Sequence, residues 1–263
     1  LRFEAALVSL RRALLMSLGK IEISPELLYF LSTLSLHCYT NEYVYFETAE
    51  ETTVIRALEE SIAEIIARPS QPNIAETLCL ATYRPLHQYD WSDRLQVLDE
   101  LPDLQKRLIQ DPRTEEMLAR DMPVLAEVED SVSRMVRQQY EESPYPRWVK
   151  LRFPPNANSV AKVVNEANLQ LHSEKIKSVS SPSILIAGCG TGQHALETGL
   201  RFANCQVIAV DLSRKSLAYA QRASSELGIT NIRYLLADIL NLGVLGKEFD
   251  IVESAGVLHH MDN

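Results

Sequence analysis

The sequence has few cysteines, a shortage of positive charge and no long apolar run. Its 263 residues include four scattered cysteines, with no Cys-x-x-Cys pair and no histidine cluster beside any of them. This pattern argues against a disulfide framework and against a metal site, so we expect no metal and a reducing compartment, the cytoplasm. The cysteines are Cys38, Cys79, Cys189 and Cys205.

Charge and hydropathy exclude two classes of partner. Acidic residues outnumber basic ones by 35 to 26, which gives a net charge of −9. Bulk attraction to nucleic acid or to an anionic membrane is therefore not expected. No uncharged apolar stretch reaches the roughly 18 residues of a membrane span. Because the chain begins with Leu1 and carries no leader pattern, we expect it to be a piece of a longer protein.

The first 139 residues are predicted to be all-helical. Apolar residues recur at three- and four-residue spacing, with proline and glycine between the segments. No repeat of about 34 residues is present, so the region does not read as a helical-hairpin array. A scaffold or a surface for a protein partner is the plainest interpretation. The predicted helices lie near 2–19, 27–38, 54–67 (capped by Thr52 or Thr53), 74–86, 93–97, 102–109, 113–120 and 132–139.

The stretch from 140 to 158 differs from the helices before it. Two prolines bracket Tyr145, and Arg147 and Trp148 follow directly, so the segment cannot be a helix or a central strand. A rigid aromatic loop of this kind either packs two domains together or covers a pocket, and both readings stay open. We therefore divide the chain into domains 1–139, 140–158 and 159–263. The candidates for a lid or an acceptor site are Tyr140, Tyr145, Arg147 and Trp148.

From residue 159 onward, predicted helices alternate with short apolar strands. This alternation predicts right-handed crossovers and a parallel sheet that is covered on both faces. The expected helices are 160–177, 194–203 and 213–227, and the expected strands are 183–187, 206–210, 232–236 and 249–253.

The centre of this region is an apolar run that ends in glycines at alternate positions, Gly188, Gly190 and Gly192. The pattern predicts a buried strand, a turn that only glycine tolerates, and a helix whose free N–H groups point at the turn. Such a loop lets a ligand approach the main chain closely.

Two acids mark the ends of the next strands and identify the class of ligand. Asp211 lies 19 residues beyond Gly192, where it can accept hydrogen bonds from two ribose hydroxyls, with capping of the next helix as the alternative. Asp238 and the following Ile239 suit an adenine amine and ring face. The glycine spacing, with Gln193 at the sixth position, departs from the dinucleotide pattern, and no pyrophosphate site is evident. S-adenosylmethionine fits better than NAD, which leaves an NAD-type oxidoreductase as the weaker alternative.

The chain resembles the class I S-adenosylmethionine-dependent methyltransferases. The resemblance is carried, in order, by Ile184–Gln193, Val207–Asp211, Ala237-Asp238 and Phe249–His260. It implies a Rossmann-like α/β fold with strand order 3-2-1-4, and with the later strands of a seven-stranded sheet missing from a truncated catalytic domain. The segment Tyr140–Trp148 and its helical leader resemble bacterial methyltransferases with tetratricopeptide repeats upstream of the catalytic domain.

The resemblance also implies a set of cofactor contacts. Gly188 and Gly190 would pass under the methionyl portion, Asp211 would hold the ribose and Asp238 the adenine amine. Family members commonly carry an acid at the position of Ile186, so here the cofactor's amino group needs another partner: a carbonyl in 187–190 or a residue of the 140–148 segment. The implied cofactor residues are Ala187, Gly188, Cys189, Gly190, Gly192, Gln193, Asp211, Leu212, Ala237, Asp238, Ile239, Ser254 and Ala255.

The implied reaction is an in-line methyl transfer that depends mainly on alignment and exclusion of water. A base is needed only if the acceptor must lose a proton. His259 and His260 are the candidates for that role, with structural packing as their alternative. The acceptor, a small molecule or a protein, is not identified by these residues. A non-catalytic adaptor with a degenerate cofactor site is the second interpretation of the chain.

Overall fold

The computed structural model describes residues 2–126, 133–135, 137, 141, 144, 146–151 and 156–258. The chain forms two compact units, Leu1–Arg113 and Thr114–Asn263. Leu118, Ala119 and Met122 pack into the core of the second unit. The predicted domain limits at 139 and 158 stay predictions. No helix in the described ranges combines the length and the hydropathy that crossing a bilayer requires.

The described part of the first unit is helical, as predicted. A core of buried aliphatic side chains, including Leu31, Ile55, Ile62, Leu78 and Leu86, holds these helices together. The elements are α1 (Arg2–Ser17), α2 (Pro25–Thr40), α3 (Ala49–Ala67), α4 (Ile74–Ala81), 3-10 turns (Leu86–Gln88, Ser92–Arg94, Gln96–Leu98), α5 (Pro102–Gln105), a π-helical turn (Lys106–Gln110) and α6 (Asp111–Arg120).

Helix α3 begins at Ala49, so the predicted start at Val54 was wrong. The cause is a capping box: Thr48 Oγ1 accepts a hydrogen bond from the Glu51 N–H, and the Thr48 N–H donates to Glu51 Oε2. Glu51 is fully buried and also accepts hydrogen bonds from Tyr83 Oη (2.8 Å) and Arg12 Nε (3.0 Å). One carboxylate thus joins three parts of the first unit.

The second unit contains a parallel sheet with the strand order β3-β2-β1-β4, as predicted. The predicted helix over 160–177 is two short helices, because Asn168 adopts a positive φ of 55° that stops the first one. The elements are α7 (Val160–Glu166), α8 (Glu174–Lys177), β1 (Ser183–Ala187), α9 (Gln193–Arg201), β2 (Gln206–Asp211), α10 (Arg214–Glu226), β3 (Ile232–Leu236), a 3-10 segment (Ile239–Leu245) and β4 (Ile251–Glu253).

The two faces of the sheet bury alternate residues of its strands. Ile184 and Ile186 of β1 pack with helices α9 and α10, whereas Leu185 faces a smaller cluster with the 3-10 segment. Strand order reverses at β1, since β2 and β3 lie on one side of it and β4 on the other. The turn after β1 therefore stands at the switch point, where open α/β sheets bind ligands.

Strand β4 is tied to β1 at the amino end of the sheet. Asp250 Oδ2 accepts hydrogen bonds from the Ser183 N–H (2.8 Å) and from Ser183 Oγ (3.0 Å), and the Asp250 N–H donates to the Ser183 carbonyl (2.9 Å). The pairing continues as Ile184 with Ile251, Leu185 with Val252, and Ile186 with Glu253.

Candidate cofactor site

The glycine turn is held against β2 by its own main chain. Gly188 and Cys189 both donate N–H hydrogen bonds of 2.9 Å to the Val210 carbonyl. Gly192 has a φ of 84°, and a Cβ at this position would overlap the side chain of Ala220. The turn needs glycine there for two reasons, backbone conformation and close approach of α10. It leads directly into α9, whose N-terminus points at the carboxyl edge of the sheet.

Asp211 lies at the end of β2 and bridges the glycine turn to α10. Its Oδ2 accepts a hydrogen bond from the Gly190 N–H (2.7 Å), and its Oδ1 accepts one from the Ser213 N–H (3.0 Å). Burial raises the pKa of Asp211, and these N–H donors oppose that effect without cancelling it. The cap of α10 is Ser213, whose hydroxyl accepts from the Ser216 N–H. The capping role considered for Asp211 thus belongs to Ser213.

Asp238, just beyond the end of β3, has a buried oxygen that accepts no hydrogen bond from the described residues. The side chain is 1% exposed, and its Oδ1 accepts from the Leu240 N–H at 3.0 Å. Its Oδ2 accepts none from the residues that the structure describes. An unpaired buried acceptor is costly, so it fits a ligand that brings a donor, such as an exocyclic amine. Ile239 packs beside it in the smaller cluster.

The end of β4 brings together side chains that the sequence interpretation overlooked. Glu253 Oε2 accepts a hydrogen bond from Thr198 Oγ1 (2.7 Å) and pairs with His194 Nε2 (2.9 Å), both on α9. Burial alone would raise the pKa of Glu253, but these contacts outweigh it and lower the pKa. The signal in the sequence was an acid at the end of an apolar strand. Next to it, Ser254 Oγ donates to the Ala187 carbonyl at 3.0 Å.

Among the lid candidates, Trp148 contacts the glycine turn directly. Its indole N–H donates to the Thr191 carbonyl (2.9 Å), and Thr191 Oγ1 donates back to the Pro146 carbonyl (2.7 Å). Tyr219 of α10 donates to the Trp148 carbonyl and meets the indole edge-to-face. The segment is thereby fastened to the turn itself and to α10. Tyr140, Tyr145, His259 and His260 lie outside the described residues.

Arg147 belongs to an ion network that sequence reasoning also missed. Its guanidinium pairs with Glu115 of α6 at 3.0 Å, and Arg222 of α10 pairs with the other Glu115 oxygen at 2.8 Å. Both guanidinium groups also lie over the ring of Tyr219. The side chains of Glu115, Arg147 and Arg222 are 8%, 10% and 11% exposed, so the network is largely shielded from water. No local sequence pattern signals it, since its members are far apart along the chain.

Two further segments pack beside the carboxyl end of the sheet, one at the end of β3 and one at the start of α10. Residues 123–125 run parallel to the end of β3: the Leu236 N–H donates to the Pro123 carbonyl, and the Leu125 N–H donates to the Leu236 carbonyl. Leu125 thus joins the cluster that contains Ile239. Glu141 accepts a 2.7 Å hydrogen bond from the Arg214 N–H at the start of α10. Residues 123–125 lie outside the motifs from which the site was predicted, whereas Glu141 belongs to the 140–148 segment.

Comparison with known proteins identifies the region that carries this site. Residues 184–263 match the family described as "Methyltransferase domain". The match covers the strands and turns that carry the predicted motifs, and it agrees with their resemblance to methyltransferases. The match and the acids at the strand ends, Asp211 and Asp238, both indicate S-adenosylmethionine as the cofactor. The match does not reach the helical first unit.

Curated relatives cover parts of the chain. A probable (S)-tetrahydroprotoberberine N-methyltransferase 2 from Papaver bracteatum is 27% identical over 124 residues, 46% of this chain and 34% of its own. The (S)-coclaurine N-methyltransferase from Papaver somniferum is 33% identical over 97 residues, 37% of this chain and 27% of its own. The chain therefore spans about a third of the length of the curated relatives it matches.

Among solved structures, the magnesium protoporphyrin IX methyltransferase from Synechocystis PCC 6803 with bound SAM is 20% identical to this chain. The alignment covers 52% of this chain and 67% of that one, with a TM-score of 0.33.

Proposed function

We propose that this chain is the cofactor-binding part of an S-adenosylmethionine-dependent methyltransferase that acts by in-line displacement. One observation carries the proposal: the buried, unpaired Asp238 Oδ2 stands one strand away from Asp211, beside the glycine turn. Adjacent strand ends thus offer one acceptor for an adenine amine and one for ribose hydroxyls, with no phosphate site between them. This arrangement suits a nucleoside and does not favour a dinucleotide.

The proposed contacts follow the order of the strands. Asp238 accepts the adenine amine and Ile239 lies against the ring, while Asp211 accepts from the ribose hydroxyls. Gly190 has open space around it for the methionyl portion, and Gly188, against which Val257 packs, contacts the cofactor through its main chain. The remaining proposed cofactor residues are Ala187, Cys189, Gly192, Gln193, Leu212, Ala237, Ser254 and Ala255.

In-line methyl transfer requires few catalytic side chains. The bound cofactor supplies an electrophilic methyl group on its sulfonium. The protein holds the nucleoside in one orientation and excludes water from the methyl group, which is where most of the acceleration can come from. For an acceptor that must lose a proton, we propose His259 and His260 as the base.

We also propose roles for the parts of the chain outside the family match. The 146–148 segment covers the turn from the side of α10, with Arg147 and Trp148 as its lid residues. The first unit binds a protein partner, which is supported by the more than 70% exposed side chains of Phe3, Tyr29 and Phe46. We further propose that the chain belongs to the bacterial methyltransferases that carry tetratricopeptide repeats upstream of the catalytic domain. The four free, buried cysteines support a cytoplasmic location.

Calorimetric titration of the 263-residue chain tests the function. We expect S-adenosylmethionine and S-adenosylhomocysteine to bind with micromolar affinity, and Asp211→Ala to abolish measurable binding. The matched control is Glu197→Gln on α9, because no described residue makes a hydrogen bond or ion pair with Glu197. Binding of NAD without binding of S-adenosylhomocysteine would overturn the proposal. A normal affinity in Asp211→Ala would overturn the assignment of the ribose site.

A further inference from the structure

The methionyl end of the cofactor carries an ammonium group that has no evident partner in the predicted site. A cation that loses water on binding needs an acceptor, and a carboxylate is the strongest one available in a protein. Ile186, at the end of β1, is apolar and fully buried, so it cannot serve. The partner has to come from another position at the same edge of the sheet.

The two alternatives named from the sequence are poor acceptors in the structure. Of the turn carbonyls, that of Ala187 already accepts from Ser254 Oγ at 3.0 Å, and that of Cys189 accepts from the Gly192 N–H at 2.9 Å. In the 140–148 segment, the side chains of Arg147 and Trp148 carry only donors, so they can bind a carboxylate but not an ammonium. The described carboxylate of that segment, Glu141, accepts from the Arg214 N–H (2.7 Å) and lies 3.8 Å from Arg137 Nε. It stands at the start of α10, beyond β2, and so on the ribose side of the proposed site.

Glu253 has the position and the free oxygen that the ammonium requires. In the register of the parallel sheet it is the direct neighbour of Ile186, about 4.8 Å away on the same face. His194 and Thr198 both contact its Oε2, while its Oε1 accepts no hydrogen bond from any described residue. The side chain is 21% exposed, so a ligand can reach it.

We infer that Glu253 binds the amino group of the cofactor's methionyl moiety, an inference that rests on the proposed methyltransferase function. Three carboxylates then line the ligand along its length: Asp238 just after β3, Asp211 at the end of β2 and Glu253 at the end of β4. The glycine turn after β1 lies between the last two. Three strand spacings separate the outer acids by about 14 Å. His194 and Thr198 are positioning residues, because they hold one carboxylate oxygen and leave the other toward the ligand.

The test compares two ligands that differ in the amino-acid tail. S-adenosylhomocysteine carries the ammonium group, and 5′-methylthioadenosine has the same nucleoside without it. Glu253→Gln should weaken S-adenosylhomocysteine binding about 10- to 100-fold, the range for a lost charge-assisted hydrogen bond. The affinity for 5′-methylthioadenosine should stay at the wild-type value, which also shows that the site is folded. Glu197→Gln should leave both affinities unchanged.

The outcomes separate this inference from the function on which it rests. Equal losses for the two ligands, or no loss for either, would overturn the role of Glu253 while leaving the function standing. A wild-type chain that binds neither ligand would overturn both. If Glu253→Gln fails to fold, Thr198→Val provides the comparison, since it removes only one contact to Oε2. A smaller loss confined to S-adenosylhomocysteine supports the inference, and an equal effect on both ligands contradicts it.

Discussion

The indole N–H of Trp148 donates a 2.9 Å hydrogen bond to the carbonyl of Thr191, the residue between the last two glycines of the turn. The contact is reciprocal, because Thr191 Oγ1 donates to the carbonyl of Pro146. A segment that precedes the sheet by some 35 residues in the chain thus supports the turn from outside. The conformation of the turn depends on this support as well as on its glycines.

Replacing Trp148 should therefore affect both stability and cofactor binding. Trp148→Phe keeps an aromatic ring but removes the donor, and we expect a loss of about 1 kcal/mol in the free energy of unfolding. Trp148→Ala also removes the packing on Tyr219, with an expected loss of about 3 kcal/mol. Urea unfolding and titration with S-adenosylhomocysteine measure the two effects. If Trp148→Ala binds S-adenosylhomocysteine like the wild type, the segment does not support the turn.

Asp238 should select the base of the nucleoside. Asp238→Asn replaces one acceptor oxygen by an amide donor, so the adenine amine loses its partner. We expect S-adenosylhomocysteine binding to weaken by about 1–3 kcal/mol. Binding of S-inosylhomocysteine, whose base has a carbonyl in place of the amine, should improve relative to the wild type. Titrations of both ligands check the switch, and an unchanged ratio of affinities would contradict the adenine assignment.

Nucleoside binding should weaken in acid because of Asp211. Ribose hydroxyls donate to the ionised carboxylate, and burial holds the pKa of Asp211 above its ordinary value. The affinity for 5′-methylthioadenosine should thus begin to fall at a pH higher than that of an ordinary aspartate. Asp211→Asn should bind more weakly and without this pH dependence. Titrations over a pH series measure both, and parallel pH profiles in the two proteins would exclude Asp211.

The same raised pKa fixes the sign of a stability effect. The folded chain holds the Asp211 proton more tightly than the unfolded chain, so stability from this group declines as the pH rises from the ordinary value to the raised one. Asp211→Asn removes this decline. Urea midpoints over the same pH range provide the comparison.

Gly192 and Gly228 form a matched pair for testing close packing at the turn. Both have positive φ angles, 84° and 67°, but a Cβ at Gly192 would overlap Ala220, whereas Gly228 has open space around it. Gly228→Ala should cost about 1 kcal/mol of stability for backbone strain alone. Gly192→Ala adds overpacking and should cost roughly 3 kcal/mol. Equal costs in urea unfolding would show that the contact with Ala220 is relaxed easily.

Glu51 should control the acid stability of the first unit. Burial alone would raise its pKa, but hydrogen bonds from Thr48, Tyr83 and Arg12 outweigh it and lower the pKa to about 2. The stabilisation is present above the ordinary glutamate value and is lost as the pH falls toward 2. Glu51→Gln should cost about 2 kcal/mol at neutral pH and flatten this acid dependence. The exposed neighbour Glu50→Gln is the control, and identical acid profiles would contradict the prediction.

Sequence periodicity predicted the elements of the fold better than their ends. The alternation of strands and helices after residue 159 was enough for a parallel sheet, and the observed order β3-β2-β1-β4 agrees with the resemblance. The start of α3 was missed because the Thr48–Glu51 capping box competes with the later threonines. The break after α7 depends on one residue, Asn168, whose positive φ no hydrophobic pattern reveals.

The residues of the candidate site likewise fall into two groups: those that the order of the chain predicts, and those that only the folded structure brings together. Asp211 and Asp238 were placed at strand ends from the chain order alone, because parallel strands end at one edge. The pairing of Ile186 with Glu253 requires the register between two strands, and the Glu115 network requires the packing of α6 on α10. These are properties of the folded chain. A single sequence does not display them.

The clamp between Ser183 and Asp250 has a consequence at the opposite end of the sheet. Side chains alternate along a strand, so a shift of β4 by one residue would turn Glu253 to the other face and bring Val252 beside Ile186. Hydrogen bonds about 10 Å away, three residues back along each strand, thus decide whether a carboxylate or a methyl group meets the ligand. Ligand chemistry at one edge of this sheet is set by polar pairing at the other.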